Sequence, residues 1–172
     1  MPVQFTYVPI ASTTFTTAAA TCNFSSIPQT YQDLFIVVSS RSTDASYMNA
    51  IKVYNVNADT GSNYTYTALF GDGGGVAAQR QTSVPFILFG GYTTTLTSGV
   101  YEVHTVNINN YKSTTQFKSF LGRRSSAGTT GYVAVAAGTW RNTAAITSLD
   151  VAQQIGNFAA GSTVTLYGIA SA

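Results

Sequence analysis

Polar and apolar residues alternate with period two along much of the chain. Val3, Phe5 and Tyr7 alternate with more polar neighbours, and Ile51 and Val53 flank Lys52. Near the end, Val164, Leu166 and Gly168 are opposite in parity to Thr163, Thr165, Tyr167 and Ile169. Successive side chains of a strand point to opposite faces, so this pattern predicts half-buried strands rather than amphipathic helices. Two stretches break the alternation. Leu34 to Val38 and Pro85 to Phe89 are continuous apolar runs. They predict strands buried on both faces, with Pro85 suited to a strand start.

The same reading predicts nine to eleven strands, near 3–8, 12–17, 31–41, 49–56, 63–70, 84–89, 99–108, 115–123, 131–140, 144–151 and 161–169. Turn chemistry separates them at Asp59 to Asn63, at Asn109-Asn110 and at Ala159 to Ser162. Gly71-Asp72-Gly73-Gly74-Gly75 offers nothing to bury and is expected to be a connection. Tyr92 to Ser98 is Thr-rich and reads as a loop or an edge strand. No linker or fixed-period repeat divides the chain. Residues 1–172 are therefore expected to form one all-β domain, a two-sheet β-sandwich of jelly-roll type. An immunoglobulin-like sandwich fits less well, because the strand number is high and no Cys…Trp…Cys pattern is present. Residues 1–12 have two readings: a strand-exchanging N-terminal arm that adds to a neighbour's sheet edge through Val3, Phe5 and Tyr7, or the first strand of this domain.

Composition sharpens this picture in one respect. Only 8% of the 172 residues are charged, against about 25% in an ordinary soluble domain. A surface of Thr, Ser, Asn, Gln and Gly packs against a partner without stripping water from many ions, which is costly. That suits a protein that lives within an assembly. A formal net charge of +2, spread from Arg41 to Arg141, falls short of the clustered Lys/Arg that nucleic-acid binding needs. No apolar run approaches the ~18 residues of a membrane span. The first Lys or Arg is Arg41, so the basic start of a signal peptide is missing as well. Cys22 is the lone cysteine, which rules out an internal disulfide and fits a small buried hydrophobe.

Candidate chemistry is sparse. Six acids and one histidine are the whole supply of carboxylates and imidazole. Glu102 and His104 share one face if their segment is a strand. They are either half of a catalytic site or a structural polar stripe on the solvent face. No Gly-x-Ser-x-Gly elbow supplies a nucleophile. One His and one Cys make a poor zinc site, and Asp72 alone makes no calcium cage. The glycine-rich segment lacks the Lys-Ser/Thr of a phosphate loop. We therefore expect no enzyme activity, no cofactor and no metal. Arg123-Arg124, with Lys112 and Lys118 nearby, is the one dense basic spot. It is either a contact for an acidic partner surface or a solvated strand end. Trp140 is expected in the core.

Several segments together resemble a family of small virion structural proteins of tailed bacteriophages. They are Phe24 to Tyr31, Thr60 to Tyr64, Phe70 to Gly73, Trp140 to Leu149, Gly156-Asn157-Phe158, Gly161-Ser162 and Leu166 to Ile169. The resemblance runs over roughly residues 20–170, and its motifs are structural rather than catalytic. It implies a capsid decoration (cement) protein in the virion, assembled in the host cytoplasm. The implied partners are the major capsid protein and copies of itself, as a homotrimer. The alternative it implies is a tail or fibre component binding a host-surface receptor or glycan, for which Tyr47, Tyr64, Tyr92 and Tyr111 would be the exposed aromatics.

Overall fold

The computed structural model describes residues 6–44, 50–90, 100–126 and 131–170. The chain is all-β and forms a two-sheet β-sandwich. Its strands are β1 (Tyr7–Thr14), β2 (Thr21–Phe24), β3 (Asp33–Ser40), β4 (Ile51–Tyr54), β5 (Tyr64–Gly71), β6 (Val76–Val84), β7 (Phe86–Phe89), β8 (Glu102–Asn109), β9 (Lys118–Ser126), β10 (Tyr132–Trp140), β11 (Leu149–Gln153) and β12 (Thr163–Ile169). A short 3₁₀ turn covers Val56–Ala58. Among the described residues no helix is long and apolar enough to cross a membrane.

The larger sheet has eight strands in the order β1-β12-β3-β8-β9-β10-β5-β6. The smaller has four, in the order β2-β11-β4-β7. Every pairing is antiparallel. The core lies between the sheets. Leu34, Ile36, Val38, Val106, Ile108, Phe120, Val164 and Leu166 from the larger sheet meet Ile51, Val53, Ile87, Phe89, Leu149 and Val151 from the smaller. Two glycines let the sheets approach, and a third makes room for Tyr31 of the β2–β3 connection. A Cβ on Gly122 would stand 2.1 Å from the Phe89 ring, one on Gly138 would stand 2.4 Å from Ile87, and one on Gly168 would stand 2.2 Å from Tyr31.

The alternation reading carries over to most strands, and the continuous runs divide. In β3, Leu34, Ile36 and Val38 are fully buried while Phe35 and Val37 are only half-buried. One face is in the core and the other on the back of the larger sheet, where Tyr7 packs edge-on against Phe35. In β7, by contrast, Ile87, Leu88 and Phe89 are all buried. The segments read separately as 3–8 and 12–17 share one strand from Tyr7 to Thr14. A bulge between Pro9 and Ala11 shifts its pairing. Strands β2 and β6 have no counterpart in the sequence reading. β6 lacks a signal because both of its faces are exposed, except at Gln79 and Val84.

Trp140 is fully buried, and its indole N–H donates to the Asp59 carboxylate at 2.8 Å. Beside it, the Tyr64 hydroxyl donates to the Asp59 carbonyl and accepts the Val56 N–H, both at 3.0 Å. Burial pushes the Tyr64 phenol up to about 12. Burial also works upward on Asp59, but the donors from Trp140, Asn63 and Gly61 outweigh it and hold that carboxyl below its ordinary value.

Candidate binding face

The strands β8, β9, β10 and β5 run side by side through the larger sheet, and their two faces differ in an unusual way. Glu102 and His104 of β8 and Arg124 of β9 point between the sheets. They are 0%, 0% and 3% exposed, so they are no solvent-facing stripe. Strand parity explains this: Glu102 and His104 share a face with the core residues Val106 and Ile108. The Arg124 guanidinium grips Glu102 with two hydrogen bonds, Nε to Oε2 at 2.6 Å and Nη2 to Oε1 at 2.9 Å. His104 Nε2 lies 3.8 Å from Glu102 Oε2. The Tyr132 ring caps the guanidinium, with its centroid 4.4 Å away. Gly90, at φ +153, keeps the space beside Arg124 open, since a Cβ there would stand 3.1 Å from Nη1. A bidentate pair of this kind offsets part of the desolvation cost of its charges, and removing either partner would leave the other buried alone.

The opposite face of the same strands faces solvent; one end of it is apolar, and Thr65, Thr67, Asn107, Ser119 and Thr139 occupy the other. Leu69 of β5 pairs with Val135 of β10, which pairs with Arg123 of β9. One row further along, Val76, Gly71, Val133, Ser125 and Val103 follow one another from β6 to β8. Val76 is 86% exposed, Val133 64%, Leu69 52% and Val103 45%. Together with Val135 and Arg123 they line a shallow concavity of about 580 Å³. Contiguous exposed apolar surface of this kind marks interaction sites on soluble proteins, whereas single exposed apolar residues do not. Arg124 also borders it but is buried, so Arg123 is the charged residue exposed there among the described residues.

This geometry separates the residues that sequence pattern had grouped. Arg123 is exposed on the apolar face. Arg124 points inward to Glu102 and is closed to any partner, which corrects its reading as a surface contact. Lys118 also leaves the basic patch. It is fully buried, and its ammonium donates to the carbonyls of Gln116 at 2.7 Å and Thr143 at 3.0 Å. Burial lowers its pKa. Tyr7 is half-exposed in β1, pairs with Ile169 of this chain and packs against Phe35 and Tyr167. Val3 and Phe5 lie outside the described residues, as do Tyr47 and Tyr92. Tyr64 and Tyr111 are both fully buried, which removes them as exposed aromatics for a glycan. The Tyr111 hydroxyl donates to the Pro28 carbonyl and accepts the Tyr31 N–H, so it ties a loop down. Cys22 is buried, and burial raises its thiol pKa. Among the described residues no cluster of three or more His, Cys, Asp or Glu is placed to hold a metal ion. The Gly71 to Gly75 segment is a hairpin turn in which the Asp72 carboxylate accepts the N–H groups of Gly74 and Gly75.

Sequence pattern missed the outward apolar row, because Val133 and Val135 look the same on paper whichever face they take. The signal was present in parity: Tyr132, Ala134 and Ala136 alternate with Val133 and Val135, and the larger aliphatics take the outer positions. No family model matches the chain, and no curated protein or solved structure does either.

Proposed function

We propose that this chain is a non-enzymatic structural subunit of a tailed-bacteriophage particle, and that it decorates and reinforces the capsid by docking on the major capsid protein. The observation that carries this reading is the exposed apolar face of β5, β10, β9 and β8. A protein surface with few charges, one arginine and a broad aliphatic floor is suited to close packing against another protein. The resemblance of residues 20–170 to phage virion proteins supports the same reading. The Glu102–Arg124 pair adds to it, because acid and cation are committed to each other inside the sandwich instead of facing a cleft.

The jelly-roll reading of the fold belongs to the same proposal. It is supported by strands β2, β11, β4 and β7 in one sheet and β3, β8, β5 and β6, in that order, in the other. The β9–β10 hairpin is then an insertion between β8 and β5, and β12 and β1 extend the far edge.

Cement action is linkage. Binding the assembled shell raises its stability by RT ln(1 + [L]/Kd). Particles lacking this protein are expected to rupture at lower temperature or milder osmotic shock than complete particles, and added protein should restore them. Val133→Asp should abolish that restoration without unfolding the chain. Immunogold label confined to the tail tip would overturn the capsid reading and favour the receptor-binding one.

A further inference from the structure

Each sheet has two edge strands, and the four edges are not alike. In the smaller sheet, β2 and β7 are only four residues long. In the larger sheet β1 carries Pro9, which has no N–H to donate, next to a bulge that breaks the regular spacing. Short strands, proline and bulges are the usual ways in which proteins blunt an edge against further pairing. β6 has none of these protections over Val76 to Thr82. It pairs in unbroken register with β5 there, and its one irregularity, the extra residue Ser83 at φ 54, lies beyond that stretch. Both faces of β6 are open: seven of its nine residues are exposed, Val76 at 86%. Its single charge is Arg80. The alternate N–H and C=O groups that an edge strand turns away from its neighbour have no partner strand among the described residues.

We propose that β6 is a self-complementary interface, pairing antiparallel with β6 of a second copy about a two-fold axis at Gln79. An extended strand is what an open edge recognises, and the unlike edges of this chain decide whose strand it is. Head-to-tail assembly needs two open edges, but β1 is blocked, so a chain of copies cannot propagate. Only β6 against β6 remains, and that contact closes after two copies. The axis follows from two side chains. Centred on Gln79, the pairing sets Arg80 opposite Ala78 of the other copy, so the two arginines do not face each other. It also brings the two Gln79 carboxamides together on the inner face. Gln79 Nε2 already donates to the Tyr66 hydroxyl at 2.9 Å, while Oε1 is buried without a hydrogen-bond partner. Turning either carboxamide toward the axis would let the two side chains hydrogen-bond to each other. This two-fold pairing takes the place of the three-fold association that the resemblance implies. It does not depend on the proposed function.

The test is sedimentation equilibrium of the purified full chain, with Ala78→Lys and Ala78→Asp variants. Ala78 is exposed, so neither change disturbs the fold, and matching thermal midpoints verify that. The wild-type chain is expected to be a dimer. A78K sets a lysine opposite Arg80 twice, once on each side of the axis, and should raise the dissociation constant about tenfold or more. A78D sets a carboxylate opposite the same arginine and should hold or tighten the dimer. A monomer at every concentration, a trimer, a dimer indifferent to A78K, or equal weakening by both variants would overturn the pairing. Particle-stability experiments do not enter into it, so the capsid reading stands or falls separately.

Discussion

The two faces of the β5-β10-β9-β8 strip invert the usual arrangement. Charged groups lie inside at Glu102 and Arg124, while aliphatic groups lie outside at Leu69, Val103, Val133 and Val135. The backbone and the pairing are shared, and only residue parity differs. The comparison teaches that polarity by itself does not assign a face. Inside, each charge is tolerated because its partner is within hydrogen-bonding reach. Outside, the aliphatic side chains form a surface that invites cover.

The inner face should break most easily. Glu102→Gln leaves a buried guanidinium without its counter-charge, and we expect a loss of about 3–5 kcal/mol in denaturant unfolding. The double change Glu102→Leu with Arg124→Met removes both charges and should recover most of that loss. If it does, the pair specifies the register of β8 against β9 more than it adds stability. Next in size is the spacing of the sheets over the strip. Gly138→Ala would force a methyl into Ile87 of the opposite sheet, costing about 1–3 kcal/mol. An outer-face Ala137→Gly change should cost only about 0.5–1 kcal/mol, from chain entropy.

A pH effect comes next. Tyr64 has a raised folded value of about 12, against about 10 in the unfolded chain. Its contribution is thus fully present below pH ~10 and is lost as the pH climbs toward the folded value. Alkaline unfolding curves should show a drop of up to about 3 kcal/mol over that window, and Tyr64→Phe should flatten it. The smallest effect belongs to the outer face. Val133→Thr should change stability by no more than about 0.5 kcal/mol, as surface substitutions generally do. If it proved strongly destabilising in the isolated chain, the outer face would have to be covered by the chain itself, and the contrast between faces would fail.

Much of the fold was legible because period-two alternation is a local signal. β3, β10 and β12 fall within the expected segments, β5, β8 and β9 run one to three residues past theirs, and their paired faces follow from parity. β6 was illegible for a physical reason: a strand exposed on both faces has no apolar rhythm to read. The candidate face was hidden for a related reason. Arg123 and Arg124 are neighbours in sequence and look like one basic spot, but a strand sends adjacent side chains to opposite faces. One faces solvent and the other is in the core. Tyr64 and Tyr111 carry hydroxyls that suit a surface equally well. Only their hydrogen-bond partners, Val56 and Asp59 for Tyr64 and the distant Pro28 for Tyr111, reveal why they are inside.

The sheet order also governs how the chain can fold. β11 lies between β2 and β4, and β12 lies between β1 and β3. An interior place in each sheet is thus filled by one of the last strands made. The β8-β9-β10 meander can assemble from neighbours in sequence, which is fast, whereas closing β11 and β12 joins residues far apart in sequence, which is slow. During synthesis the earlier strands must wait with their edges open until residue 169 has emerged. The low charge that suits the finished surface leaves those waiting edges exposed to pairing with other chains.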